Sequence, residues 1–191
     1  MAARPAPAHL AVKAHCGPMQ LATSLPGCAL RPWRASDRDN LVRHADNRLV
    51  WRNLTDSFPH PYTAQDADGW LALCAQPGRS VHLAITVDDA AVGGIGAIAG
   101  SGIGCAGADF GYWLGQAFWG RGIATAAARA LAGQLLGAGA FARLQASVFA
   151  WNPASMRVLE KAGFLREGVL RHSVTKDGCL IDSVLYARTA A

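Results

Sequence analysis

Residues 113–132, WLGQAFWGRGIATAAARALA, decide how the rest of the chain is read. Residues 110–114 (FGYWL) are apolar and aromatic and predict a strand. Residues 115–122 hold three glycines and predict a loop. From Ile123 onward the run is rich in Ala and Leu and predicts a helix. A glycine loop that opens a helix is a ready anion site. The first-turn N–H groups have no partner inside the helix, and the helix dipole places partial positive charge there. Gly120 and Gly122 carry no side chain, so a phosphate can approach the backbone closely, and Arg121 between them adds a full charge.

Two commoner phosphate motifs are set aside. A Walker A loop needs G-x-x-x-x-G-K-[ST], and the chain has no such run. Gly102, Gly104 and Gly107 do spell G-x-G-x-x-G, but DFGYWL follows at 109–114, which predicts a strand where a dinucleotide fold needs a helix. That glycine run is a hairpin loop.

Working outward, 191 residues suit one domain with a sizeable core, and 51% hydrophobic against 16% charged residues describes a globular chain. The 18 basic and 13 acidic side chains leave a formal charge of +5. Arg4 and Lys13 lie in residues 1–27, which hold no acid, so the remainder carries only +3. That is too weak and scattered for nucleic acid but favours an anionic ligand. Cys16, Cys28, Cys74, Cys105 and Cys179 are widely spaced, with no Cys/His metal spacing. They read as reduced thiols of a cytoplasmic protein with no metal. Residues 1–27, with four prolines, two glycines and no sustained period, predict a disordered extension. Residues 28–191 are the single domain. The apolar run at 123–142 is interrupted by Arg129, Gln134 and glycines, so it predicts a buried helix and no membrane span.

In chain order, 30–33 predicts a first strand, 36–46 a helix and 50–57 a second short helix. Phe58-Pro59-His60-Pro61-Tyr62 is held extended by its prolines, and Thr63 caps a helix to about 76. Residues 81–87 and 91–99 flank a hairpin turn at Asp88-Asp89. Strands at 143–150, 164–171 and 179–187 surround a helix that Asn152-Pro153 opens and Gly163 closes. In that helix Val158 and Leu159 can face the core, while Arg157 and Lys161 share another face. The order β-α-α-α-β-β-β-α-β-α-β-β gives an α+β domain with a mixed sheet.

WGRGIAT, followed one strand later by NPASMRVLEKAGF, resembles the GNAT acyltransferase superfamily, and more narrowly the branch containing the ribosomal-protein N-terminal acetyltransferases. LRPW (30–33), FPHPYT (58–63), DFGYWL (109–114) and EGVLR (167–171) fit that branch in order and spacing, over residues 28–188. The resemblance implies a mixed, mostly antiparallel sheet of six to seven strands between helical layers, and acetyl-CoA as co-substrate. It implies that Trp119, Gly120, Arg121, Gly122, Ile123, Ala124 and Thr125 cradle the coenzyme A pyrophosphate. The backbone at Trp113 and Leu114 would bind pantetheine and polarise the acetyl carbonyl. Asn152 would contact the cofactor or the acceptor, and Ser155 would protonate the departing thiolate. The chain departs from the pattern at Leu159, where many relatives carry a tyrosine acid, and at Ala126, where the branch often has Glu.

The chemistry needs a neutral amine, a stabilised oxyanion and a thiolate that leaves. An α-amine, with a pKa of about 7.7–8.0 against about 10.4 for lysine, needs only a weak base. Asp109 is the one acid on the central strand, and alternation sets it on the face of Gly111 and Trp113, so it is the candidate base; His60 and His172 are its rivals. Arg52, His60 and Tyr62, among two prolines, suit an access loop that grips an extended peptide. The first expectation is therefore an acetyl-CoA-dependent N-acetyltransferase acting on a peptide or protein N-terminus by direct attack in a ternary complex. An acetyltransferase for antibiotics or polyamines and a non-catalytic acyl-CoA sensor are the alternatives, and the Asn152/Ser155 pair favours an enzyme. A monomer and a homodimer are both open.

Overall fold

The computed structural model describes residues 19–190. Eight strands form one sheet: β1 (Leu21–Ala22), β2 (Cys28–Pro32), β3 (Val81–Val87), β4 (Ala90–Ala99), β5 (Gly107–Leu114), β6 (Arg143–Phe149), β7 (Leu165–Lys176) and β8 (Cys179–Thr189). Their spatial order is β1-β2-β3-β4-β5-β6-β8-β7, and every neighbouring pair is antiparallel except β5–β6. Five α-helices complete the fold among the described residues: α1 (Arg38–Ala45), α2 (Arg48–Trp51), α3 (Ala64–Cys74), α4 (Ile123–Gly137) and α5 (Pro153–Lys161). This is the expected mixed, mostly antiparallel α+β architecture, with one strand more than six to seven.

The extra strand corrects the N-terminal boundary. Leu21 and Ala22 pair with Leu30 and Ala29, and Met19 is buried, so the folded body begins before residue 28. A Pro/Gly-rich composition concealed a tight turn. Thr23 Oγ1 donates to the Cys28 carbonyl, the Leu25 N–H donates to Thr23 Oγ1, and Gly27 sits at φ +72°. The expected disorder of 1–18 lies outside the described residues.

β5 shows why the sheet is covered on both faces. Its residues alternate, so Phe110 joins the main core, with its ring 5.1 Å from that of Phe164. Trp113 turns to the other face, into a smaller cluster with Leu41, Tyr62 and Phe58. α4 fills the main core through Ala127, Ala128, Leu131, Ala132 and Leu135, none of them exposed. Small side chains let the helix lie close on the sheet, where packing density rewards contact. No helix among the described residues is long and apolar enough to cross a membrane.

Other boundaries move for local reasons. The second helix is Arg48–Trp51 rather than 50–57, because Asn47 Oδ1 accepts from the Leu49 and Val50 N–H groups and fixes the start there. Thr63 caps α3 as expected, in a capping box with Asp66. The Asp88-Asp89 turn forms with both residues at positive φ. Asp89 also receives Arg31 and Arg34, and Arg31 makes a buried two-point pair with Asp37 (2.7 and 2.8 Å) that ties β2 to the start of α1. β7 runs on past 171 to Lys176, with a register shift between Leu170 and Val174.

Candidate active site

The site is a break in the sheet. β5 and β6 pair only through Gly107–Arg143, Ala108–Leu144 and Asp109–Gln145. Beyond Asp109 the two strands separate, while β4 stays paired to β5 as far as Gly93–Leu114. The wedge so opened is a cleft of about 360 Å³. Its floor is the start of α4, and its walls come from the end of β5, from the start of α5 and from α2 with the turn after it.

The backbone supplies donors on two sides. The Gly115 N–H donates to the Val92 carbonyl (2.8 Å), so ladder alternation turns the polar groups of the next residue back, Leu114, toward the wedge. The Leu114 carbonyl is occupied by Trp119 Nε1 (2.7 Å); its N–H remains available in the wedge. Trp113, by the same alternation, directs its backbone to β4 rather than to the cleft. Of the two backbone positions expected to meet the acetyl group, Leu114 therefore turns its N–H into the wedge and Trp113 does not, although both residues line the cleft.

The second donor set is the start of α4. Gly122 caps the helix at φ +77° with no side-chain bond, and Gly120 stands at φ +74°. The first intrahelical bond runs from the Ala126 N–H to the Gly122 carbonyl, so the N–H groups of Ile123, Ala124 and Thr125 have no helical partner. Trp119, Gly120, Gly122, Ile123, Ala124 and Thr125 all line the cleft; Arg121 does not, and its guanidinium lies 5.5 Å over the Phe118 ring. Arg157 and Lys161 of α5 also line the cleft. Unclaimed helix N–H groups, glycines in left-handed conformations and two cations fit a diphosphate.

Opposite α4, the start of α5 is closed by its own side chain. Asn152 Oδ1 accepts the Ser155 N–H at 3.1 Å, and Pro153 fills the first helical position. Both Asn152 and Ser155 face the cleft. Ser155 Oγ lies 2.7 Å from the Tyr112 hydroxyl, which is also 3.1 Å from the Ser155 carbonyl. Burial pushes the Tyr112 hydroxyl up to about 12, against a smaller downward pull from Ser155. Leu159, at the position where many relatives carry a tyrosine, is fully buried in the core.

Other expected residues are placed elsewhere. Asp109 is exposed at the closed end of the wedge, accepts from Gln145 Nε2 (2.9 Å) and does not line the cleft. Tyr112 lies three positions further on, about 10 Å along an extended strand. Arg52 stacks on Trp151 at 5.0 Å, and His60 stacks on Trp51 with Nδ1 3.5 Å from Asp46. Tyr62 is buried against Phe58. None of the three lines the cleft, because each is engaged in packing the access loop. His172 is exposed on β7 and also lies outside it. The part of the cleft nearest the access loop is instead lined by Val50, Asn53 and Leu54, with Asn53 held by Trp151 Nε1 (3.2 Å). Sequence reasoning missed these residues and Tyr112. The alternation of β5 was the one available signal, since it sets Tyr112 on the face of Phe110.

The sequence matches the acetyltransferase (GNAT) domain family over residues 28–165. It is 40% identical over 77 residues to the Bacillus subtilis protein named "Probable N-acetyltransferase YjcK", a match that spans 40% of this chain and only 42% of that protein. Among solved structures, Mycobacterium smegmatis RimJ in complex with CoA-disulfide aligns with a TM-score of 0.76 and 27% identity, over 91% of this chain and 88% of that one. RimL, a ribosomal L7/L12 alpha-N-protein acetyltransferase in complex with coenzyme A, shares the fold with a TM-score of 0.78 and 22% identity, over 88% of this chain and 97% of that one. The family match takes in most of the chain, including the split sheet, the glycine loop and the capped helix with Ser155, and the protein belongs to the GNAT acetyltransferase family.

Proposed function

We propose that the protein transfers the acetyl group of acetyl-CoA to the α-amine of a peptide or protein N-terminus, by direct attack in a ternary complex. The lining of the cleft carries the choice of acceptor. Among the described residues that line it there is no Asp, Glu or His, and the charged ones are Arg157 and Lys161. A lysine amine, with a pKa of about 10.4, would arrive charged with no base to take its proton. An α-amine at about 7.7–8.0 is substantially neutral at working pH and can lose its proton to water.

Each end of the cleft then has a task. The open N–H groups of α4 with Arg157 and Lys161 hold the pyrophosphate. The Leu114 N–H polarises the acetyl carbonyl. Asn152 keeps α5 in register, and Val50, Asn53 and Leu54 receive the acceptor. The resemblance of DFGYWL and NPASMRVLEKAGF to the ribosomal-protein branch supports the same acceptor class.

The test is a pair of short peptides assayed with acetyl-CoA from pH 6.5 to 9, one with a free N-terminus and no lysine, the other N-blocked with one lysine. The first should be acetylated, with kcat/KM rising and levelling near the α-amine pKa. Reaction of the lysine peptide alone, or of spermidine or an aminoglycoside alone, overturns the α-amine assignment. Acetyl-CoA binding with no turnover on any amine would favour the sensor instead.

A further inference from the structure

The bond between Tyr112 and Ser155 joins two cleft-lining hydroxyls from elements 43 residues apart, and the roles above leave the tyrosine without one. A serine hydroxyl has one hydrogen and two acceptor sites, and a phenol has one hydrogen to give. The pair therefore has two arrangements. In the first, Tyr112 donates to the Ser155 carbonyl (3.1 Å) and Ser155 donates to Tyr112 (2.7 Å), which leaves no hydrogen for a ligand. In the second, Tyr112 donates to Ser155 Oγ, and the serine hydrogen is free.

We propose that Tyr112 is a positioning residue: by donating to Ser155 Oγ it commits the serine's single hydrogen to the sulfur that leaves. The proposal rests on acetyl-CoA occupying this cleft. The Ser155 backbone cannot serve instead, because its N–H is held by Asn152 Oδ1. The side chain stands in the first turn of α5, where the dipole also favours a negative sulfur. Phenol burial keeps the hydrogen on Tyr112 throughout the working pH range.

The balance of the step limits what the pair can do. The amine nitrogen forms a bond to the acetyl carbon; the C–S bond breaks, and its electron pair stays on sulfur. A simple thiol has a pKa near ~8.5, well below that of either hydroxyl. The pair therefore donates hydrogen bonds to the thiolate and does not hand over a proton. The proton that ends on sulfur is the one the amine nitrogen gives up, carried by water. This revises the role expected for Ser155, from an acid to a hydrogen-bond donor.

The readout is the ionisation of bound coenzyme A, which needs no acceptor. Thiolate absorbance of the complex, less that of the protein alone, is followed against pH for wild type, Tyr112→Phe, Ser155→Ala and the double variant. Desulfo-CoA binding serves as the control for cofactor affinity. Arg157 and Lys161 also favour a thiolate, but they are present in every variant, so differences report the hydroxyls. The bound thiol should ionise below free coenzyme A in wild type. It should move up by about one pH unit, a tenfold loss of thiolate preference, in each single variant and no further in the double. Ser155→Thr, which keeps a hydroxyl, should restore most of the effect. Desulfo-CoA affinity should stay within about twofold throughout. A shift in Ser155→Ala with none in Tyr112→Phe, or no shift in either, overturns the proposal. Absence of coenzyme A binding to wild type removes the cofactor assignment beneath it and is distinguishable by the desulfo-CoA control.

Discussion

The two helix starts that face each other across the cleft solve the same problem in opposite ways. α4 begins at Gly122 with no side-chain cap and no acid in its first turn. α5 begins at Asn152, whose side chain closes the first turn onto Ser155. A cap of that kind stabilises a helix by about 1 kcal/mol. α4 forgoes it, although α2, α3 and α5 all have one from Asn47, Thr63 and Asn152. The uncapped end has its N–H groups free for a ligand. The capped end has fixed its backbone and presents a hydroxyl. Binding uses backbone left unsatisfied; positioning uses backbone made rigid.

The strongest way to break this contrast is to give α4 the charge it lacks. Gly122→Asp puts a carboxylate where the phosphates are expected, into open space apart from Leu25 at 3.9 Å. Acetyl-CoA affinity should fall at least about a hundredfold, ~2.7 kcal/mol, by calorimetry. The unliganded protein should melt within about 3 °C of wild type, since Asp tolerates positive φ better than most residues. Affinity within threefold of wild type would mean that the start of α4 does not hold the anion.

Ser155→Ala probes the opposite wall at its side chain. Turnover should drop by about tenfold or more with acetyl-CoA affinity and melting temperature unchanged, because the cap uses the Ser155 N–H and not its hydroxyl. Asn152→Ala sharpens the comparison in the other direction. It should lower stability by about 1 kcal/mol, or a Tm shift of ~2–4 °C, and reduce turnover as the first turn of α5 frays. Turnover loss without any change in Tm would show that Asn152 acts on ligand rather than on the helix.

The smallest effect belongs to the loop leading to α4. His44 is packed so closely under Gly115 that a Cβ there would come within 2.9 Å of Nδ1, and its ring meets Phe118 edge-on at 5.4 Å. Burial, then Arg43, holds its pKa below the usual histidine value, and burial does the same for His82. Below about 6.5 the unfolded chain then binds protons that the native state refuses. Stability should be full above about pH 6.5 and decline as pH falls toward the native pKa values. Melting scans at pH 7.5 and 5.5 should show that decline, and His82→Asn should flatten it. A Tm independent of pH across that interval would contradict the assigned burial of both rings.

Both helix starts were legible in the sequence because each is a local event. Gly122 before an Ala-rich run, and Asn152-Pro153 before an amphipathic one, declare their geometry within a few residues. What was not legible is where strands stop pairing. Alternation placed Asp109 on the same face as Trp113, but only the end of the β5–β6 ladder shows that Asp109 lies below the wedge. Tyr112 is part of DFGYWL, yet its partner Ser155 lies 43 residues later, at the start of α5. Arg52, His60 and Tyr62 looked like a grip for substrate because their composition is that of a recognition loop. The fold uses the same rings to pack that loop, and the apolar Val50 and Leu54 line the cleft beside it.

The tip of the β7–β8 hairpin has a further consequence. Lys176 is almost fully buried, 3.6 Å over the Trp51 ring and paired with Asp56, and Asp177 holds Arg48. These contacts fasten α2 and its turn, one wall of the cleft, to a part of the chain more than a hundred residues later. Local opening of the hairpin tip would therefore release the α2 side of the cleft from its anchor, while the start of α4 takes no part in these pairs.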